Sequence, residues 1–329
     1  MQKKAIQFIF IIFIILLLAA CSDNESSGNS EDTSDDSLTV YTTIYPLEYF
    51  TERIGGADVN IENVIPPGAD AHSFEPTSRT MVDLAESDAF IYSGAGLEEF
   101  ADTVIEAIEN EEVLIVNATE GVNFINGEGV YSHDHGEEDE HEGHEENEHD
   151  EHNEVTDSDP HVWLDPNRSI TIAENIKNKL IELKPESEDV FEVNFNSLKQ
   201  DLEELDSEFK NMVGQAENKT FLVSHSAYGY WEDVYGLEQI GISGLSTSDE
   251  PSQQEMVEII NLVKENNLKY IYFEPNLSNK IAETTQRETG TETLTLSNLE
   301  SITEENINSA EDYFDIMKKN IDSLQQGFE

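Results

Sequence analysis

Residues 185–213 read PESEDVFEVNFNSLKQDLEELDSEFKNMV. Phe191, Phe195, Leu198, Leu202, Leu205, Phe209 and Met212 recur at steps of four and three. That period puts all seven on one stripe of an α-helix. Pro185 suits the first turn, and no Gly or Pro interrupts the run from Glu186 to Val213. The spacing predicts a helix of roughly 45 Å, at 1.5 Å rise per residue. A coiled coil uses the same spacing, but the repeat is short for one. A spine packed along what lies on either side is the better expectation.

What lies on either side is strand–helix alternation. Before the spine, short apolar runs at 38–43, 59–65, 89–92 and 113–116 read as strands, with helical patterns near 46–54, 78–86 and 97–109. After it, strands are expected at 220–224, 237–242, 270–273 and 293–296, with helices near 226–235, 251–266, 277–289 and 303–325. Such alternation predicts parallel-rich sheets flanked by helices. The expected organisation is an α/β lobe over 38–184, a linking helix over 185–216 and a second α/β lobe over 217–329.

Seventeen basic residues face 71 acidic ones, a net charge of −54. Nucleic acid is excluded as a partner, because phosphate binding needs clustered Lys and Arg. Cations and simple solubility suit the acid excess. The single cysteine, Cys21, rules out an internal disulfide and a thiolate-rich metal site. It closes a leader in which Lys3 and Lys4 precede an apolar run and Leu18-Ala19-Ala20-Cys21. Residues 1–20 read as an export signal, and the cysteine context resembles a bacterial lipobox. That resemblance implies a lipid on Cys21 and an extracytoplasmic, membrane-anchored chain. Residues 21–37, polar and without apolar content beyond the anchor, read as a flexible tether.

Nine histidines are present. Six of them, His133, His135, His141, His144, His149 and His152, lie in the acidic insertion 133–154, HDHGEEDEHEGHEENEHDEHNE. The insertion is low-complexity and expected to be disordered. Its paired histidines offer auxiliary, weaker metal sites, since ordering a flexible chain costs entropy. The other three sit where strands end: His72 in PPGADAHSFEPT, His161 in DPHVWLDP and His225 directly after TFLVS. Ligands in open α/β sheets bind beyond the carboxyl ends of strands. Three imidazoles need one more donor for a closed tetrahedral metal site. Glu274, after YIYF, and Glu300, in SNLESIT, are both candidates. Asp165, Glu75 and Asp249 are candidate acceptors for the outer ring nitrogens.

The motifs PPGADAHSFEPT, DPHVWLDP, FLVSHSAYGYW, GLSTSDEPS and YFEPNLS resemble, in order and over most of 38–325, the cluster A-I metal-binding receptors of ABC importers. The zinc-uptake lipoproteins are the branch they resemble most. That resemblance implies two α/β lobes joined by a rigid helix, with the ion in the cleft. It implies His72, His161, His225 and Glu300 as ligands, with Glu274 near the site as the alternative fourth. Its manganese branch commonly carries a carboxylate in the third place. His225 stands there, so Zn²⁺ is expected over Mn²⁺. The implied partners are an importer permease with its ATPase, and membrane lipid through Cys21; a monomer is expected.

Two other functions use the same residues. An exported zinc hydrolase would keep three histidines and an open position, with Glu274 or Glu300 as general base. No HExxH, GxSxG or Walker sequence accompanies them. A surface adhesin of the same fold would share the tether and the anchor.

Overall fold

The computed structural model describes residues 37–127, 158–275 and 280–329. The leader, Cys21, the tether and the six-histidine insertion lie outside the described residues. Residues 37–329 form one compact unit built on two four-stranded sheets.

The first sheet takes β1 (Leu38–Thr42), β2 (Val59–Asn63), β3 (Ala89–Tyr92) and β4 (Leu114–Asn117) in the order β2-β1-β3-β4. The second takes β5 (Thr220–His225), β6 (Glu238–Ser243), β7 (Tyr270–Phe273) and β8 (Glu292–Thr295) in the order β6-β5-β7-β8. All six pairings are parallel. Parallel strands need crossovers, and here the crossovers are helical. α1 (Tyr45–Gly55), α2 (Ser78–Ala85) and α3 (Ala101–Ile108) serve the first sheet. α6 (Gly229–Tyr235), α7 (Gln253–Glu265) and α8 (Lys280–Thr289) serve the second. In each sheet the chain departs from its first strand in both directions. The strand order therefore reverses beside β1 and β5, opening a crevice at the carboxyl end.

Between the sheets runs α5 (Glu188–Val213), 26 residues and so about 39 Å long. It is shorter than the sequence suggests because Pro185–Ser187 forms a separate 3₁₀ turn. All seven stripe residues are buried. They face α1, α4 (Pro166–Leu183) and α10 (Tyr313–Phe328). One large apolar core consequently runs from Val40 in the first half to Leu324 in the last helix. A smaller cluster, Leu222, Ile240, Ile242, Ile259, Val263, Ile271 and Ala282, fills the space between the second sheet, α7 and α8.

Two helices differ from the expectation. α4 was not anticipated, although Asp165 caps it by accepting from Asn167 N, Pro166 opens it, and Ile172, Ile176 and Leu180 mark its buried face. The helix expected over 303–325 is two helices, α9 (Glu304–Ser309) and α10. Ala310 turns left-handed at φ 52°, and Asp312 and Asp315 then cap α10 reciprocally. Asp312, two residues past the left-handed turn, caps the new helix while its other oxygen accepts from Tyr49 Oη at 2.9 Å.

Candidate metal centre

His72 lies in the turn after β2. Its backbone N–H donates to Asp70 Oδ1 at 2.9 Å. Gly68, at φ 81°, folds that turn against the loop of Glu300: its N–H lies 3.0 Å from Ile302 O and 2.7 Å from Ser301 Oγ. His161 precedes the 3₁₀ turn Val162–Leu164. Trp163, fully buried, locks this segment by donating Nε1–H to Asn298 O at 2.7 Å, while its own carbonyl accepts from Tyr313 Oη at 2.8 Å. His225 ends β5, and Glu274 follows β7. Those two strands are neighbours, so the pair stands at the strand-order reversal of the second sheet. Glu300 follows Leu299, whose φ of 61° turns the chain sharply. Tyr45 N–H holds the Glu300 carbonyl at 3.1 Å.

These segments, scattered over 229 positions of sequence, bring three rings together. Ring centroids are 5.5 Å apart for His72 and His161, 5.7 Å for His72 and His225, and 5.0 Å for His161 and His225. One donor atom from each of His72, His161, His225 and Glu300 falls within 4.8 Å of all the others. Glu300 Oε1 is 3.2 Å from His161 Nε2 and 3.4 Å from His72 Nε2. Zinc bonds of 2.0–2.1 Å in a tetrahedron place donors about 3.3 Å apart, so two of these edges already have that length. Among the described residues, buried His72 Nε2 has only the long 3.4 Å approach of Glu300 Oε1 to satisfy it, an arrangement that a cation would complete.

The outer nitrogens are fixed by carboxylates. Asp159 Oδ1 accepts from His161 Nδ1 at 2.8 Å, and Glu274 Oε1 from His225 Nδ1 at 2.9 Å. Asn298 Nδ2 steadies Glu300 Oε1 at 2.8 Å. Burial pushes the His161 imidazole down, but the charge and hydrogen bond of Asp159, with Glu300 added, raise it to about 9. His225 and His72 are likewise raised against burial, by Glu274 and Glu300 respectively. Burial pushes Glu300 up; the hydrogen bonds and charges of His161 and His72 win and hold it well below the usual carboxylate range.

Glu274 therefore stands behind His225, outside the group of four. The three acids expected behind the imidazoles are elsewhere. Asp165 caps α4 and pairs with Arg168 at 2.8 Å. Glu75 is exposed. Asp249 closes its own turn by accepting from Ser246 N–H at 3.0 Å. Asp159 takes that role for His161, and its signal was present: an Asp two residues before a His accepts from the His backbone N–H as well, at 2.9 Å. Asp70 and Asn298 carry the same mark: each stands two residues before a site residue and accepts its backbone N–H, from His72 at 2.9 Å and from Glu300 at 3.1 Å. The insertion histidines and Cys21 lie outside the described residues.

Two parallel sheets, a spine helix and a buried nitrogen–oxygen donor set between strand ends define a ligand-binding α/β protein with a metal-type cleft. A family model described as "Zinc-uptake complex component A periplasmic" (ZnuA) matches residues 40–327, and the chain belongs to that family. It is 33% identical over 325 residues to the zinc-binding lipoprotein AdcA of Streptococcus pneumoniae (strain ATCC BAA-255 / R6), covering 98% of this chain but 61% of AdcA. The chain thus spans about three fifths of that relative. With the high-affinity zinc uptake system protein ZnuA of Bacillus subtilis (strain 168) it shares 33% identity over 317 residues, 96% of each. Among solved structures, the Zn(II)-bound ZnuA-like domain of S. pneumoniae AdcA matches with a TM-score of 0.71 at 31% identity, over 89% of this chain and 99% of that one. The laminin-binding protein Lmb of Streptococcus agalactiae, described as bifunctional with adhesin and metal transporting activity, matches at 0.75 and 28%, over 89% and 100%.

Proposed function

We propose that this chain is an extracytoplasmic receptor that binds Zn²⁺ through His72, His161, His225 and Glu300 and presents it to an ABC-type importer. The supporting observation is the convergence of those four donor atoms within 4.8 Å. Three neutral imidazoles and one carboxylate suit zinc, which takes nitrogen donors and four-coordination; manganese takes more oxygen and higher coordination. One carboxylate leaves a net single positive charge at a loaded site. Asp159 and Glu274 bring two further negative charges to the outer ring nitrogens and make the imidazoles better donors. With Glu300 as fourth ligand, a tetrahedral ion has no open position for water. That favours a carrier over a zinc hydrolase.

Lipid on Cys21 would keep the receptor beside the membrane. The described chain resumes next to the site: Ser158, which pairs with Asn126 as an antiparallel bridge, is three residues before His161. Ions gathered by the six histidines of 133–154 would then pass to the tighter cleft. Metal analysis and calorimetry on the full chain test the proposal. One zinc per chain at high affinity is expected with the insertion histidines replaced, and its loss in His161→Ala. Retention of that zinc in His161→Ala would refute the site.

A further inference from the structure

The turn after β6, residues 244–249, touches His225 directly and reaches His72 through Asp70. Leu245 O accepts from His225 Nε2 at 2.6 Å. Thr247 Oγ1 donates to Asp70 Oδ2 at 2.5 Å, and Asp70 Oδ1 accepts the backbone N–H of His72. His225 Nδ1 is committed to Glu274, so Nε2 is the nitrogen left for an ion. One imidazole nitrogen cannot face a carbonyl oxygen at hydrogen-bond distance and a cation together.

The turn is closed on itself, and Ser226 N–H anchors its first carbonyl, Gly244 O, at 3.1 Å, leaving the tip beyond Gly244 as the part that can shift. Gly244 N–H donates to Asp249 O at 3.2 Å, and Asp249 N–H donates to Ser246 O at 3.0 Å. Asp249 Oδ2 accepts from Ser246 N–H. A Cβ added at Gly244 would meet Asp249 Cβ at 2.8 Å, so the closed turn admits only glycine there. Displacing the Leu245 carbonyl therefore carries Thr247, two residues on, with it. Ser248 and Asp249 are exposed, which makes the displacement visible from outside.

We propose that residues 244–249 are a latch: the Leu245 carbonyl holds the ligating nitrogen of His225 until an ion displaces it, and the position of the turn signals whether the site is loaded. The Thr247–Asp70 hydrogen bond holds the latch in. This rests on the metal-site proposal above, and its test separates the two. Amide hydrogen exchange on the full chain, with zinc and with chelator, reads the turn directly. Residues 244–249 should exchange at least about threefold faster with zinc, while the His161 segment slows. Thr247→Val removes the tether and should tighten zinc binding about fivefold, the worth of one hydrogen bond; Thr247→Ser should bind like the parent. Slower or unchanged exchange at 244–249 in a chain that has taken up one zinc overturns the latch alone. Unchanged or weaker zinc binding in Thr247→Val also overturns it. A parent chain that takes up no zinc overturns the metal site, and the latch with it.

Discussion

A single oxygen, Asp159 Oδ1, accepts both the backbone N–H of His161 at 2.9 Å and its ring Nδ1–H at 2.8 Å. The first bond sets the turn and the second sets the ring, so one carboxylate fixes where Nε2 points. Asp159→Ala is expected to weaken zinc binding by about 10–100-fold, the usual effect of removing the carboxylate behind a ligating imidazole. Competition against a chelating dye measures it. Gly229→Ala should act through the same carboxylate, because the added Cβ would lie 2.5 Å from Asp159 Oδ2. An affinity unchanged in both variants would remove Asp159 from the design.

Glu300 and Glu274 are both buried carboxylates beside histidines, yet only Glu300 belongs to the group of four. Glu300→Ala should therefore lose more affinity than Glu274→Ala in parallel titrations. The reverse ranking would make Glu274 the fourth ligand.

With His161 raised to about 9 by Asp159 and Glu300 against burial, and near 6.5 when unfolded, its bound proton stabilises the folded, chelator-treated protein. That contribution is whole below about pH 6.5 and is lost as pH rises through about 9. The gap of about 2.5 pH units corresponds to up to about 3 kcal/mol. Calorimetric melting of chelated protein should show stability falling over that interval, with a flatter slope in His161→Gln. Glu300 works in the opposite sense: burial raises it, the histidines lower it further. Its stabilisation is present above the ordinary carboxylate value and is lost on acidification below it. Zinc must also expel the His161 proton, so binding at pH 7.5 should release about one proton from that ring. Titrations in buffers of different ionisation enthalpy would show it.

Ala310 holds φ 52° between α9 and α10. Glycine adopts that conformation without a Cβ penalty. Ala310→Gly should raise stability by about 1 kcal/mol and the melting temperature by about 2 °C, leaving zinc affinity unchanged. A drop in melting temperature would mean that the methyl packs more than it strains.

Removing residues 133–154 should leave the affinity of the cleft site as it is, while slowing uptake when zinc is scarce. Equal uptake at every zinc level would leave the six histidines without a collecting role.

Much of this is legible in the sequence. All eight strands stand where apolar runs between turn residues placed them, and the 4,3 spacing from Phe191 to Met212 announced the spine. His72, His161 and His225 were visible because each ends a run of predictable structure. Spacing alone left Glu274 and Glu300 both open, because both follow a strand of the same sheet and spacing says nothing about which way a carboxylate turns; the family resemblance pointed to Glu300. Glu300 follows Leu299 at φ 61°, and a leucine in a left-handed turn has no sequence signature. The bonds of Thr247 to Asp70, 177 positions apart, of Trp163 to Asn298 O, 135 apart, and of His225 to the Leu245 carbonyl are encoded by no local pattern. Helix α4 has a faint signal for a different reason: polar residues dilute its Ile172–Ile176–Leu180 stripe, and the sequence before it is dominated by the acidic insertion.

Trp163 is gripped by Asn298 and Tyr313, 135 and 150 residues further along. A chain emerging N-terminus first makes His72 and His161 long before the two residues that pin Trp163. Until then the His161 segment has only its nearer bonds, to Asp159 and from Trp231 Nε1 to Leu164 O. The group of four is complete only once Glu300 has been made.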